Sequence, residues 1–127
     1  MFKSFIPIAF VAVLVFAEFP ALADVVHISH KTTTSEKLPQ VIVAVLDSLA
    51  DIPAKSHQVI IQGNFTPLST IKIQWFKETP LIVTTDDSLA VLDGVNLPKG
   101  KETVFMAGRN VTLNGIHFVN SQGHAVI

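Results

Sequence analysis

Leu92-Asp93-Gly94-Val95 returns further along the chain as Leu113-Asn114-Gly115-Ile116. The centres of four short apolar runs, Ile60, Ile82, Val104 and Val126, stand at equal intervals that nearly match the offset between those two motifs. Asp-Gly and Asn-Gly are strong hairpin signals, because both central residues readily take φ > 0. Independent hairpins, however, have no reason to keep a constant step. A parallel solenoid does, since each strand stacks on its equivalent one turn earlier. The spacing therefore predicts Asp93-Gly94 and Asn114-Gly115 as corners between strands. An antiparallel β-sandwich binding module is the alternative reading of the same turns.

Outward from that core, the chain is a series of short strands. Val59-Ile60-Ile61 runs into Gly63-Asn64. Thr70-Ile71-Lys72-Ile73-Gln74-Trp75 alternates apolar and polar residues, the pattern of a half-buried strand. Leu81-Ile82-Val83, Thr103-Val104-Phe105-Met106, Ile116-His117-Phe118-Val119 and Ala125-Val126-Ile127 follow, separated by turn residues. Before Pro53 the period differs. Leu38, Val41, Ile42, Val45, Leu46, Leu49 and Ile52 recur at three- and four-position spacing, which predicts an amphipathic helix over 38–52. Pro39 suits its first turn and Pro53 ends it. Asp24 to Glu36 reads as a brief strand followed by a polar loop.

The first residues carry a different message. Lys3 precedes a nearly unbroken apolar run from Ile6 to Ala17, and Ala21-Leu22-Ala23 sets small residues before Asp24. That order is a secretory signal peptide, with cleavage expected between Ala23 and Asp24. The run is shorter than the roughly 20 residues that span a bilayer, so contact with a membrane is expected only during export. The organisation expected is thus a signal peptide over 1–23, a strand and loop over 24–36, and one domain over 37–127. The mature protein is expected in the periplasm or outside the cell. The net charge is −1, and no basic field points to nucleic acid. No cysteine is present, so disulfides and thiolate chemistry are excluded.

Val111-Thr112-Leu113-Asn114-Gly115-Ile116-His117-Phe118-Val119-Asn120-Ser121 resembles one coil of the right-handed parallel β-helix, pectate-lyase-like superfamily. The helix over 38–52, followed by Val59-Ile60-Ile61-Gln62-Gly63-Asn64-Phe65-Thr66, resembles the N-terminal portion of that family, where a helix caps the first coil. The resemblance implies an all-β fold with one N-terminal capping helix, a solenoid of about three coils. Ile127 falls within a strand, so the reading expects a truncated array. Its exposed C-terminal coil would need further coils or a partner.

Members of that superfamily include polysaccharide lyases and hydrolases as well as passive binding proteins, so the fold does not choose an activity. The enzymes use carboxylates in an exposed groove, to hold Ca²⁺ or to act as acid and base. Asp86 and Asp87 are adjacent acids in a turn that could bind a cation, although such a pair is more often simply a solvated turn. Trp75 and His117 could line a sugar-binding face, although core packing and an ordinary surface role are the simpler readings. Arg109, the only arginine, is a conceivable base but has no acidic neighbour in its own stretch. His27 and His30 lack a nearby third ligand, and no metal-site spacing is present. Asn64-Phe65-Thr66 and Asn110-Val111-Thr112 match the N-glycosylation pattern.

The sequence therefore leads to an exported scaffold or carbohydrate-facing segment, catalytically incomplete, with polysaccharide as its partner and no cofactor. The alternative is the N-terminal portion of a lyase or glycoside hydrolase, and only there would Ca²⁺ enter.

Overall fold

A computed structural model describes residues 25–86 and 89–127. The expected leader, its cleavage point and Asp87 lie outside the described residues. The elements in chain order are β1 (Val25–Ser29), α1 (Leu38–Ala50), β2 (His57–Phe65), β3 (Ile71–Trp75), β4 (Leu81–Thr84), β5 (Ala90–Asp93), a 3-10 turn (Gly94–Asn96), β6 (Val104–Gly108), β7 (Val111–Leu113) and β8 (Ile116–Val119).

The strands form two sheets. In the six-stranded one, β7, β4, β2, β5 and β8 are successive neighbours and β1 also pairs with β2; the two-stranded one joins β3 to β6. Every ladder among the described strands is parallel. Asp93-Gly94 therefore does not close an antiparallel hairpin. Asp93 instead begins the 3-10 turn, its carboxylate accepting from the Val95 amide at 3.0 Å. The antiparallel sandwich is excluded by the same ladders.

The right-handed β-helix of three regular coils is not formed either. The larger sheet does not close on itself, and the equal step seen in the sequence does not set the pairing. Val59 stacks on Val83, Ala90 on Ile116, Leu81 on Val111 and Ile71 on Val104, so the stretch of chain between partners differs from one ladder to the next. Of the expected series, Ile60 lies beside Thr84 and Ile82 beside Thr112. Only Val104 meets its counterpart, Val126. The echoed motifs also part company, for Leu92 pairs with Phe118 while Leu113 pairs with Val83. Parallel strands need only an inward row that stacks and a connection long enough to return. The connections here differ in length, so equal spacing along the chain carries no pairing information.

Alternation fixes which side of each strand turns inward. His57, Val59 and Ile61 of β2 are buried, as are Ile71, Ile73 and Trp75 of β3. Leu81, Val83, Ala90, Leu92 and Val104 complete one continuous apolar core with Phe65. α1 adds Leu38, Ile42, Leu46 and Leu49, spaced as one helical stripe, and packs on β3. It begins without a side-chain cap, with Pro39 in its first turn, and its end tightens through Asp51 and Ile52 amides onto Ser48 and Leu49 carbonyls.

β2 serves both arms of the six-stranded sheet. Its first residues pair with β1 and β4, and Gly63-Asn64-Phe65 turn to pair with β5. The change of direction falls at Gly63, whose φ of +97° is open to glycine and strained for other residues. Cross-strand side chains pin the turns. Thr84 donates to the Asn114 side-chain oxygen at 2.5 Å, and Asn120 donates to Asp93 at 3.1 Å.

Candidate functional site

The outward side chains of β1 and β2 gather at one hollow. Ser29, Lys31, His30, Gln62 and Gly63 line an open cavity of about 400 Å³. The ladder sets Ser29 beside Gln62. β2 and β4 run in parallel with Ile60 opposite Thr84, so Gln62 comes level with Asp86. Gln62 Nε2 donates to Asp86 Oδ2 at 2.5 Å. The chain turns after β1, where the His30 amide donates to the Gln62 carbonyl at 3.0 Å and the Lys31 amide to Ser29 Oγ at 3.1 Å.

The His30 ring is seated by the absence of a side chain at position 63. A Cβ on Gly63 would stand 1.7 Å from His30 Nδ1. The ring therefore lies directly against the backbone, with Nδ1 3.3 Å from the Gln62 carbonyl oxygen. The close approach and the positive φ both require glycine here. The result is an exposed imidazole laid on the backbone, a carboxamide tied to a carboxylate, a hydroxyl and an ammonium near one concavity. This set offers both donors and acceptors, which suits a polyhydroxylated ligand.

The other residues singled out by the sequence are dispersed. Trp75 is 2% exposed, its indole N–H donates to the Thr79 carbonyl at 2.7 Å, and the His57 ring meets it edge-on at 5.5 Å. Its ring belongs to the core and presents no face to a sugar. His117 is exposed on β8, in the outward row Asn64, Val91 and His117 on the other arm of the sheet. Asp86 joins the hollow through Gln62. Arg109 pairs with Glu78 at 2.8 Å, both side chains being largely exposed. That neighbour comes from a different strand connection, which the sequence does not reveal. Asn110 donates its amide to the Lys77 and Glu78 carbonyls, so its side chain holds a turn. Among the described residues no group of three or more His, Asp or Glu could hold a metal ion, and no helix is long and apolar enough to cross a membrane.

Sequence reasoning passes over Lys31 and Gln62 as site residues, weighs His30 only as a metal ligand and reads Gly63 only as a turn residue. Gln62 and Asp86 do not stand one regular step apart, so the repeat does not bring them together. The one local signal is a polar residue directly before a glycine in an otherwise apolar strand, Gln62-Gly63. Comparison with family models, with curated proteins and with solved structures finds no match to this chain.

Proposed function

We propose that this protein is an exported, non-catalytic carbohydrate-facing segment whose contact site is the hollow lined by Ser29, His30, Lys31, Gln62 and Gly63, beside Asp86. The single observation that carries the reading is the seating of the His30 ring on Gly63 beside the Gln62–Asp86 pair. Prearranged hydrogen-bonding groups lower the ordering cost of binding a hydroxyl-rich ligand. The leader pattern of Lys3, the apolar run and Ala21-Leu22-Ala23 supports export. The proposal asks only for recognition, for which the Gln62–Asp86 pair supplies hydrogen-bonding groups.

A glycan array probed with the purified protein tests it. Retention of a defined set of oligosaccharides, lost in His30→Ala and Gln62→Ala, is expected. Absence of binding across neutral and acidic glycans contradicts recognition. Turnover of any bound glycan contradicts the non-catalytic part. N-terminal sequencing of the protein recovered outside the cytoplasm checks the export expectation, with Asp24 as the first residue.

A further inference from the structure

The two echoed corners, Asp93-Gly94 and Asn114-Gly115, are held in different ways. Asp93 accepts from the Val95 amide and from the Asn120 side chain. Gly94 is buried, and the Asn120 carbonyl oxygen lies 2.8 Å from where its Cβ would stand. Asn114 and Gly115 are both exposed. The Asn114 main-chain amide donates to the Val83 carbonyl at 3.0 Å. Its carboxamide is held through the oxygen alone, which accepts from Thr84 Oγ1 at 2.5 Å. Among the described residues nothing hydrogen-bonds Asn114 Nδ2 or the Gly115 amide. Gly115 has a φ of +75°, and no Cβ crowds its nitrogen.

The chain has four other asparagines, and each differs at one of these points. Asn64 lies in the ladder opposite Val91 and precedes the buried Phe65. Asn96 precedes the buried Leu97, whose amide donates to the Gly94 carbonyl. Asn110 donates its Nδ2 to the Lys77 and Glu78 carbonyls and precedes the β-branched Val111. Asn120 donates its Nδ2 to Asp93. Asn114 alone combines a following glycine, a main-chain nitrogen without a partner and a carboxamide nitrogen left to solvent.

We infer that Asn114-Gly115 is a self-modification site, where the asparagine converts without an enzyme to aspartate and isoaspartate and the corner between β7 and β8 loosens. The Gly115 amide nitrogen gives up its proton to solvent and attacks Asn114 Cγ. The Cγ–Nδ2 bond breaks, and Nδ2 takes a proton from water and leaves as ammonia. A cyclic imide then joins the two residues. Water adds to one of its two carbonyl carbons and opens it. Opening at the side-chain carbonyl gives aspartate. Opening at the main-chain carbonyl gives isoaspartate, whose backbone runs through Cβ. The Thr84 hydroxyl favours the first attack, since a donor on Oδ1 draws electron density from Cγ. Both products add a negative charge. Isoaspartate also adds a methylene to the main chain between Leu113, set on Val83, and Ile116, set on Ala90. The lengthened corner no longer fits both registers. None of the groups around the hollow takes part.

Incubation of the purified full chain in mildly alkaline buffer, followed by peptide mapping with mass spectrometry, tests this. The peptide containing Asn114 is expected to gain the mass difference between a hydroxyl and an amino group, and to resolve into aspartyl and isoaspartyl species. The folded chain should convert within about tenfold of the rate of the same chain unfolded in guanidinium chloride, a barrier difference of no more than about 1.4 kcal/mol. Asn114→Gln, whose side chain is a methylene too long for the same ring closure, should show no conversion over that period and an unchanged circular dichroism spectrum. Ion exchange separates the products, and the isoaspartyl fraction is expected to melt below the unmodified protein. Conversion in the folded chain slower by more than about tenfold overturns the inference. So does conversion at Asn64, Asn96, Asn110 or Asn120 before Asn114. An isoaspartyl fraction that melts with the unmodified protein overturns the loosening of the corner.

Discussion

Replacing Gly63 by alanine tests the hollow and the fold together. The new methyl group would stand 1.7 Å from His30 Nδ1, so the ring must leave its seat. The backbone at φ +97° is also one that side chains rarely adopt. Holding a non-glycine residue there costs about 1–3 kcal/mol. Losing the His30–Gln62 contact, long at 3.3 Å and exposed, adds about 0.5 kcal/mol at the weak end of the hydrogen-bond range. A total of about 1.5–3.5 kcal/mol is expected, or roughly 6–28 °C in Tm for a domain of this size. Thermal unfolding of Gly63→Ala against the wild type measures it. The double variant His30→Ala/Gly63→Ala separates the causes. With no ring to displace, the second substitution should cost only the backbone part, leaving a coupling of about 0.5 kcal/mol or more. If Gly63→Ala melts within about 2 °C of the wild type, the reasoning on both ring and backbone is refuted.

Other substitutions probe separate parts of the structure. Trp75→Ala removes a buried ring and its bond to Thr79, and should cost about 3–5 kcal/mol in denaturant unfolding. Because Trp75 is the sole tryptophan, its fluorescence should be blue-shifted and poorly quenched by acrylamide in the folded protein and red-shifted on unfolding. Asp93→Ala releases both the Val95 amide and the Asn120 side chain and should cost about 1–2 kcal/mol by the same assay. Arg109→Ala breaks only an exposed ion pair, and unfolding should shift by less than about 1 kcal/mol.

Local features of this fold are legible in the sequence, and long-range ones are not. The helix shows itself because Leu38, Ile42, Leu46 and Leu49 fall on one stripe, and that stripe is buried. The strand Ile71–Trp75 alternates strictly, which places Trp75 on the same side as Ile71 and Ile73. That alternation argues for burial of Trp75 and against a sugar-stacking role. Pairing is another matter. Equal spacing of Ile60, Ile82, Val104 and Val126 suggests a single row, but three stacks of differing connection length intervene. Which strand lies beside which depends on inward rows meeting in space, and chain distance does not encode it. The hollow is hidden for the same reason. Gln62 and Asp86 meet through the β2–β4 register, and His30 reaches Gly63 through the β1–β2 register. Asp86 alone is visible as an acid in a turn, and its partner is not.

The central claim is that the hollow beside β1 recognises carbohydrate, and backbone amide shift mapping during titration with oligosaccharides tests it most directly. The account predicts saturable shifts concentrated at Ser29, His30, Lys31, Gln62, Gly63 and Asp86, with His117 and the α1 amides unmoved. Saturable shifts centred on His117 or α1, or no shifts with any glycan tried, would contradict it.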